Sequence, residues 1–104
     1  MSGEFDINQI NDVIHGRLRL GVMAYLSGCG TADFNVLKAK LSASDGNLSV
    51  QLRKLEEAEY VVIEKTYAGR KPLTRITLTD KGRTAFIAYL NAIEKLIPPR
   101  PSNP

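Results

Sequence analysis

Cysteine, histidine and tryptophan are scarce in this sequence of 104 residues, and their scarcity excludes several classes of protein. The chain contains one cysteine (Cys29), one histidine (His15) and no tryptophan. A single cysteine cannot form an internal disulfide, and one cysteine with one histidine cannot complete a structural zinc site. Secreted disulfide scaffolds and zinc fingers are therefore excluded, and the composition fits a reducing, cytoplasmic compartment.

Long hydrophobic runs and catalytic motifs are also lacking. No apolar stretch approaches the roughly 18 residues that a membrane span needs, and the first residues do not form a signal-peptide pattern. The sequence shows no nucleophile–base pair, metal-ligand spacing or glycine-rich phosphate loop. We therefore expect neither an enzyme nor a bound metal or cofactor.

The remaining composition is that of an ordinary globular chain. Hydrophobic residues make up 43% and charged residues 24%, and this length allows a single domain over 1–104. Four of the five prolines fall at positions 98, 99, 101 and 104. Because proline cannot continue a helix, we expect an ordered part over about 5–97 and a proline-rich tail over 98–104.

Positive charge is concentrated in one segment. The whole chain has a net charge of +3, but residues 61–83 hold six basic and two acidic side chains, whereas residues 1–60 hold six basic and eight acidic ones. A local basic segment attracts polyanions such as phosphate backbones. The alternative is a solvated surface that happens to be basic, and charge alone does not decide between the two.

Hydrophobic periodicity predicts a sequence of helices interrupted by one hairpin. Apolar residues at helical spacing predict helices over 5–14, from Leu18 to Leu26, over 34–41 and over about 45–58, with Asp33 and Ser44 as N-caps of the last two. A period of two over 60–67 and 73–78 predicts a β-hairpin, with a turn over 68–72. Thr79 then caps a long last helix over 80–97.

The predicted order is thus α-α-α-α-β-β-α, a mainly α fold with a small β-hairpin (α+β). Two helices joined by a short polar turn form a helix-turn-helix, and a hairpin directly after the second helix is the arrangement of a winged helix. Several short motifs agree in order and spacing with this fold: Gly46-Asn47-Leu48-Ser49, Lys54-Leu55-Glu56, Tyr60-Val61, Gly69-Arg70, Thr77-Leu78-Thr79 and Gly82-Arg83. Over about residues 10–90 the chain resembles the small stand-alone winged-helix transcriptional regulators of the MarR and ArsR repressor families of bacteria and archaea.

This resemblance implies a cytoplasmic regulator of transcription, acting as a repressor, that binds double-stranded DNA. The outward face of the helix over 45–58 would read bases in the major groove, because Arg suits guanine, Asn suits adenine and Val suits the thymine methyl. The basic wing over 65–75 would contact phosphates or the minor groove. Asn47, Ser49, Val50 and Arg53 are the predicted base-reading residues, and Gly46, Lys54, Arg70, Lys71 and Arg75 are the predicted contacts to the backbone or minor groove.

Each of these features has a plainer interpretation. Any amphipathic helix has a polar solvent face, and basic residues on a hairpin protect its edge from aggregation, which is our interpretation of Lys65. Winged helices also act as protein–protein interaction modules without contacting DNA, and this is the alternative function. We interpret Cys29 as an ordinary small residue rather than a redox sensor, and no residue pattern indicates a small-molecule effector.

Apolar residues on the two terminal helices exceed what one small core can cover. In the families that the chain resembles, the terminal helices form a dimer interface, so we expect a homodimer through the helices over 5–14 and 80–97. The predicted interface residues are Phe5, Ile10, Phe86, Tyr89, Leu90, Ile93 and Ile97. One departure from the family pattern is Glu59, which stands where a glycine usually ends the recognition helix and leaves the angle to the wing open.

Overall fold

The computed structural model describes residues 5–97, and its central feature is a three-stranded antiparallel sheet packed against helices. The chain forms a short 3-10 helix (Ile7–Gln9), α1 (Arg17–Cys29), β1 (Thr31–Asp33), α2 (Phe34–Leu41), α3 (Asp45–Glu57), β2 (Val61–Ala68), β3 (Lys71–Leu78) and α4 (Asp80–Leu96). Strand β3 lies in the middle of the sheet and pairs with both β1 and β2. This is the predicted α+β winged helix: α2 and α3 form the helix-turn-helix, and β2 and β3 form the wing.

Side-chain caps begin three of the four α-helices at the predicted residues. The Asp33 carboxylate accepts a hydrogen bond from the Val36 amide (2.9 Å) and begins α2. The Ser44 hydroxyl accepts one from the Asn47 amide (3.2 Å) and begins α3. Thr79 does the same for Gly82 (2.9 Å) at the start of α4. Each cap satisfies an amide that the helix itself leaves without a partner, so helix starts were predictable from residue type.

The predicted first helix over 5–14 is wrong. Only Ile7–Gln9 are helical, and they form a single 3-10 turn. Asp6 accepts a hydrogen bond from the Asn8 amide, and the Asn11 side chain accepts from the amides of Val13 and Ile14. These local side-chain bonds satisfy backbone amides and compete with the helical ladder. The helical spacing of apolar residues was nonetheless meaningful, because the segment still packs against the body of the fold.

The predicted element order also lacked one strand. Residues Thr31–Asp33 form β1 and pair with residues 75–77 of β3, so the sheet has three strands rather than two. The Thr31 hydroxyl donates to the Ile76 carbonyl (3.1 Å) and lies 3.0 Å from the Thr77 hydroxyl. Three residues are too few to show a period of two, so the strand is invisible in the hydrophobic pattern.

Two boundaries differ from the prediction for reasons of backbone geometry. Helix α1 continues through Gly28 to Cys29 and ends at Gly30, whose φ of 80° favours glycine. The wing turn consists of Gly69 and Arg70 alone, and Pro72 belongs to β3, opposite Tyr67. Because β1 pairs only with residues 75–77, Pro72 lies beyond its reach, where a missing amide hydrogen removes no ladder bond on that side.

Buried apolar side chains from every layer form one core. Leu26 of α1, Leu37 of α2, Leu48 of α3 and Ile76 of β3 are fully buried. The N-terminal segment contributes Ile14, which is also fully buried. Within residues 5–97, no helix combines the length and the apolar character needed to cross a membrane.

The junction between α3, the wing and α4 is unusually tight. Glu59 has a positive φ of 66°, so it adopts the left-handed conformation that a glycine would take more easily. Its carbonyl accepts a hydrogen bond from the Thr79 hydroxyl (2.7 Å), and its carboxylate pairs with Lys81 (3.1 Å). A Cβ atom at Gly82 would lie 2.2 Å from the Tyr60 carbonyl oxygen, so the first turn of α4 can approach this junction only with glycine there.

Candidate nucleic-acid interface

Helix α3 presents a broad exposed face opposite its buried stripe. Leu48, Leu52 and Leu55 are buried, as the four-residue and three-residue spacing predicts. The residues on the other side are exposed, including Val50, a branched apolar side chain that is 52% exposed amid polar neighbours. All four predicted base-reading residues are exposed on this helix: Asn47, Ser49, Val50 and Arg53.

An ion pair between α2 and α3 holds the start of α3 within the helix-turn-helix. Lys38 of α2 pairs with Asp45 in the first turn of α3 at 2.7 Å. An acidic residue there also interacts favourably with the helix dipole. Gly46, the next residue, is exposed with open space where a Cβ would stand, so its backbone is accessible to an anion at the helix start.

One flank of α3 is held by an arginine from α1. The Arg19 guanidinium donates to the carbonyls of Val13 (2.6 Å) and Asp12 (3.5 Å) and to the side-chain oxygen of Gln51. The Gln51 amide nitrogen in turn donates to the Asn47 side-chain oxygen (3.1 Å). Arg19 therefore ties the N-terminal segment to α3. The structure thus gives Arg19 an internal role.

The other flank of α3 faces the wing across an open groove of about 580 Å³. Ser49 and Arg53 of α3 line one wall, and Lys65 of β2 and Thr74 of β3 line the other. Side chains alternate along β2, so Ile63, Lys65 and Tyr67 share the face that looks toward α3. Asp45 and Glu56 also line the groove, which thus combines two cations, two carboxylates and hydroxyl groups beside an exposed helix face.

The wing tip is basic and exposed. Arg70 lies in the two-residue turn and Lys71 begins β3, and both are exposed. Gly69, with a φ of 65°, makes the sharp reversal at low conformational cost. Lys65, which we had interpreted as edge protection, lines the groove together with Arg53.

Arg75 stands apart from the other predicted wing contacts. It is in register with Glu64 of β2 on one side and Asp33 of β1 on the other, and paired residues of antiparallel strands share a face. This is the sheet face opposite that of Lys65. Lys54, the remaining predicted backbone contact, is exposed at the opposite flank of α3, where it lines a crevice with Asp12.

The seven predicted interface residues divide into two groups. Ile10, Phe86 and Tyr89 are buried in the chain's own core, which corrects their assignment to a subunit surface. The N-terminal segment covers that side of α4, and His15 is hydrogen-bonded to the Tyr89 hydroxyl (2.9 Å). The other four are Ile93, which is half-buried, and Phe5, Leu90 and Ile97, which are largely exposed. Ile7 and Ile87 are exposed as well, at 62% and 53%.

No group of three or more histidine, cysteine, aspartate or glutamate side chains between residues 5 and 97 is arranged to hold a metal ion. The exposed surface of α3 and the wing offers hydrogen-bonding, charged and apolar side chains. A comparison with protein families agrees with that geometry: residues 18–97 match the model of the winged helix DNA-binding domain. The chain belongs to this winged helix DNA-binding family.

Known proteins similar to this winged helix support the assignment. An uncharacterised protein of Methanocaldococcus jannaschii is 38% identical over 84 residues, covering 81% of this chain and 91% of that protein. The structure of a transcriptional regulator homologue from Pyrococcus horikoshii OT3 superposes with a TM-score of 0.75 at 29% identity, covering 79% of this chain and 81% of that one. Overoxidized AbfR, solved bound to DNA, superposes with a TM-score of 0.67 at 28% identity, covering 76% of this chain and 57% of AbfR. The first of these structures is a homologue of transcriptional regulators, and the second binds DNA.

Two features of the winged helix were missed by sequence reasoning. Tyr67 is 70% exposed on the wing face that looks toward α3, where an aromatic ring has no core to join. Its position in the alternating pattern of β2 could have revealed it. The link from Arg19 to Gln51 spans 32 residues, and no local pattern indicates it.

Proposed function

We propose that this protein regulates transcription by binding a specific double-stranded DNA sequence, with α3 in the major groove and the wing on the adjacent backbone. The observation that carries the proposal is the exposed face of α3, which stands beside a groove lined by Arg53 and Lys65. A helix of this diameter fits the major groove, and flanking cations neutralise phosphates. The DNA-bound state of AbfR, a regulator with a similar fold, supports the same use of this surface.

In the base-reading part of the proposal, the chemistry of each exposed side chain of α3 matches it to a group on a base edge. Arg53 can donate two hydrogen bonds to guanine, and Ser49 can bond to several bases. Val50, half exposed in the middle of the face, suits the methyl group of thymine. Asn47 lies in the first turn, the part of a recognition helix that enters the groove first.

The backbone-binding part of the proposal rests on three places: the wing tip, the start of α3 and the far flank of α3. Arg70 and Lys71 at the wing tip would contact phosphates or the minor groove, and Lys65 lies farther along β2, in the groove beside α3. The open backbone at Gly46 would receive a phosphate at the start of α3, and Lys54 would contact the backbone on the far flank. Arg75, between two acidic residues on the other sheet face, is a weaker contact in this scheme.

We propose further that the protein acts as a homodimer and represses transcription. Exposed apolar side chains on α4 and on the N-terminal segment support self-association, because a monomer gains nothing from leaving Ile87, Leu90 and Ile97 in water. A two-fold dimer would place two α3 helices on a palindromic operator, with half-sites about one helical turn apart. Repression is the action of the MarR and ArsR families that the sequence resembles.

The first test is binding to duplex DNA of random sequence at several salt concentrations, followed by fluorescence anisotropy. We expect affinity to fall steeply with salt, because each neutralised phosphate releases counterions. Selection from a random library would then identify a palindromic operator. If the protein binds no duplex DNA even at low salt, the proposed function is wrong, and the interaction-module alternative takes its place.

A further inference from the structure

The orientation of the Asn47 amide is determined by a relay of side chains that begins on α1. Arg19 carries only hydrogen-bond donors, so the Gln51 side chain must turn its oxygen toward it. The Gln51 nitrogen then faces Asn47, whose oxygen accepts from it at 3.1 Å. The Asn47 oxygen is thereby engaged, and its NH2 group is the end left to face outward.

Arg19 is well placed to hold this relay rigid. Two backbone carbonyls, those of Val13 and Asp12, accept from its Nε and Nη2 atoms, and a carbonyl can act only as an acceptor. The guanidinium also passes close over Gly16, where a Cβ would lie 2.7 Å from Nη2. The guanidinium is planar, and its Nε and Nη2 atoms are already held by the two carbonyls. The third nitrogen, Nη1, is therefore fixed in direction and points at Gln51.

The consequence for DNA reading follows from what each base edge offers. Asparagine pairs with adenine through its oxygen and its nitrogen together, because adenine presents a donor and an acceptor. The Asn47 oxygen keeps a second lone pair, but it is turned toward Gln51, so the amide presents its NH2 donors outward. Guanine offers two neighbouring acceptors, N7 and O6, whereas adenine offers one acceptor beside a donor. We infer that Arg19 is a positioning residue for recognition: through Gln51 it sets Asn47 to read an acceptor edge, guanine in preference to adenine. This inference rests on the proposed function.

The decisive variant is Gln51→Glu, which keeps an acceptor for Arg19 and places a second acceptor against Asn47. The Asn47 amide must then turn over to donate to this carboxylate, and its oxygen faces outward. An outward oxygen accepts from adenine N6 or cytosine N4 and no longer suits guanine. Arg19→Met removes the start of the relay, and Arg17→Met is its control, since it removes an equal charge from an exposed residue two positions away on the same helix.

The experiment begins with an operator selected by the wild type and uses Asn47→Ala to find the base pair that Asn47 reads. Affinities are then measured by anisotropy for four duplexes that differ at that base pair, with circular dichroism confirming that each variant is folded. We expect the wild type to prefer guanine by about tenfold and Gln51→Glu to prefer adenine or cytosine. Arg19→Met should lose the preference, whereas Arg17→Met should keep it and lose only general affinity.

The outcomes separate this inference from the function on which it rests. A wild type that selects no sequence overturns the proposed function and the inference together. A wild type that selects an operator, with Asn47→Ala affecting no single base pair, overturns the inference alone. So does a guanine preference that Asn47→Ala abolishes but Gln51→Glu leaves unchanged. If Arg19→Met is unfolded, Gln51→Glu still decides the matter, because Arg19 stays in place in that variant.

Discussion

Glu59 shows how a single residue sets the geometry between the reading helix and the wing. Its left-handed backbone conformation is one that a side chain with a Cβ adopts at a cost of about 1–2 kcal/mol. The hydrogen bond from Thr79 to its carbonyl and the ion pair with Lys81 hold it there. The departure from the family pattern noted in the sequence therefore leaves the left-handed turn intact.

Replacing Glu59 separates backbone strain from the ion pair. Both Glu59→Gly and Glu59→Ala remove the exposed pair with Lys81, which contributes at most about 1 kcal/mol. Only glycine relieves the left-handed strain, so we expect Glu59→Gly to be more stable than Glu59→Ala by about 1 kcal/mol. Urea denaturation of the two variants measures this difference, and equal stabilities would contradict the assignment of strain to this position.

Two glycines in helices are predicted to respond in opposite directions to alanine. At Gly82 a Cβ would meet the Tyr60 carbonyl oxygen at 2.2 Å, so we expect Gly82→Ala to lower the free energy of unfolding by about 2–3 kcal/mol. At Gly28, inside α1, a Cβ has nothing within 4 Å, and Gly28→Ala should gain about 0.5–1 kcal/mol from helix propensity. Thermal unfolding of both variants measures these two effects. If Gly82→Ala does not lower the stability, the backbone at Tyr60 can move away from the added Cβ, and the junction is not as rigid as we expect.

At the scale of elements, helix starts and the wing were predictable, whereas the N-terminal segment was not. Asp33, Ser44 and Thr79 each accept from the amide three residues later, so local sequence contains all of the information. Asn11 uses the same chemistry to prevent a helix, and its side chain also donates to the distant Tyr60 hydroxyl (2.8 Å). That competition is decided by tertiary packing, which periodicity does not describe.

In the candidate site, too, some features followed from local sequence and others depended on long-range contacts. Exposure of Asn47, Ser49, Val50 and Arg53 followed from the leucine stripe of α3, because helical geometry fixes the opposite face. The isolation of Arg75 depended on β1, a strand that the sequence pattern did not reveal. Burial of Ile10, Phe86 and Tyr89 depended on how the N-terminal segment folds back over α4, which is again a long-range contact.

The wing provides a prediction that compares its tip with a position farther along β3, where acidic residues stand on both sides. Lys71→Ala should weaken binding to all sequences alike and reduce the salt slope by about one, since one phosphate contact is lost. Arg75→Ala removes the same charge four residues farther along β3, between Glu64 and Asp33, and should change the slope far less. Anisotropy over a range of salt concentrations measures both, and equal slopes would show that the wing tip and the position of Arg75 do not differ in their contact with DNA.

Arg53→Ala is predicted to affect specificity rather than general binding. Arg53 is exposed on α3 and would read a base edge, so its loss should reduce the preference for the operator over random DNA by about tenfold. The readout is the ratio of the two affinities at one salt concentration. If Arg53→Ala and Lys71→Ala give the same profile, the division between base reading on α3 and backbone binding on the wing is wrong.

At the scale of the whole molecule, the exposed apolar side chains of α4 are the main feature that the isolated chain does not account for. We expect Ile87→Glu to prevent dimerisation, because a charge would be buried at the subunit contact. Val62→Glu is the matched control, since Val62 is 54% exposed against 53% for Ile87 but lies on the sheet. Sedimentation velocity should show a monomer for the first variant and an unchanged dimer for the second, and a monomeric wild type would refute the dimer.

The tight junction at Tyr60, Thr79 and Gly82 has a consequence for how a dimer would measure DNA. The start of α4 packs against the end of α3 with almost no space between them. Helix α3, the wing and the first turn of α4 therefore move as one rigid unit in each subunit. The distance between the two α3 helices of a dimer could then change only through the crossing angle of the two α4 helices. An extra base pair between the half-sites rotates one of them by about 35° about the DNA axis, and two rigid units cannot follow that rotation. The dimer would therefore discriminate the spacing of the half-sites as strictly as it discriminates their bases.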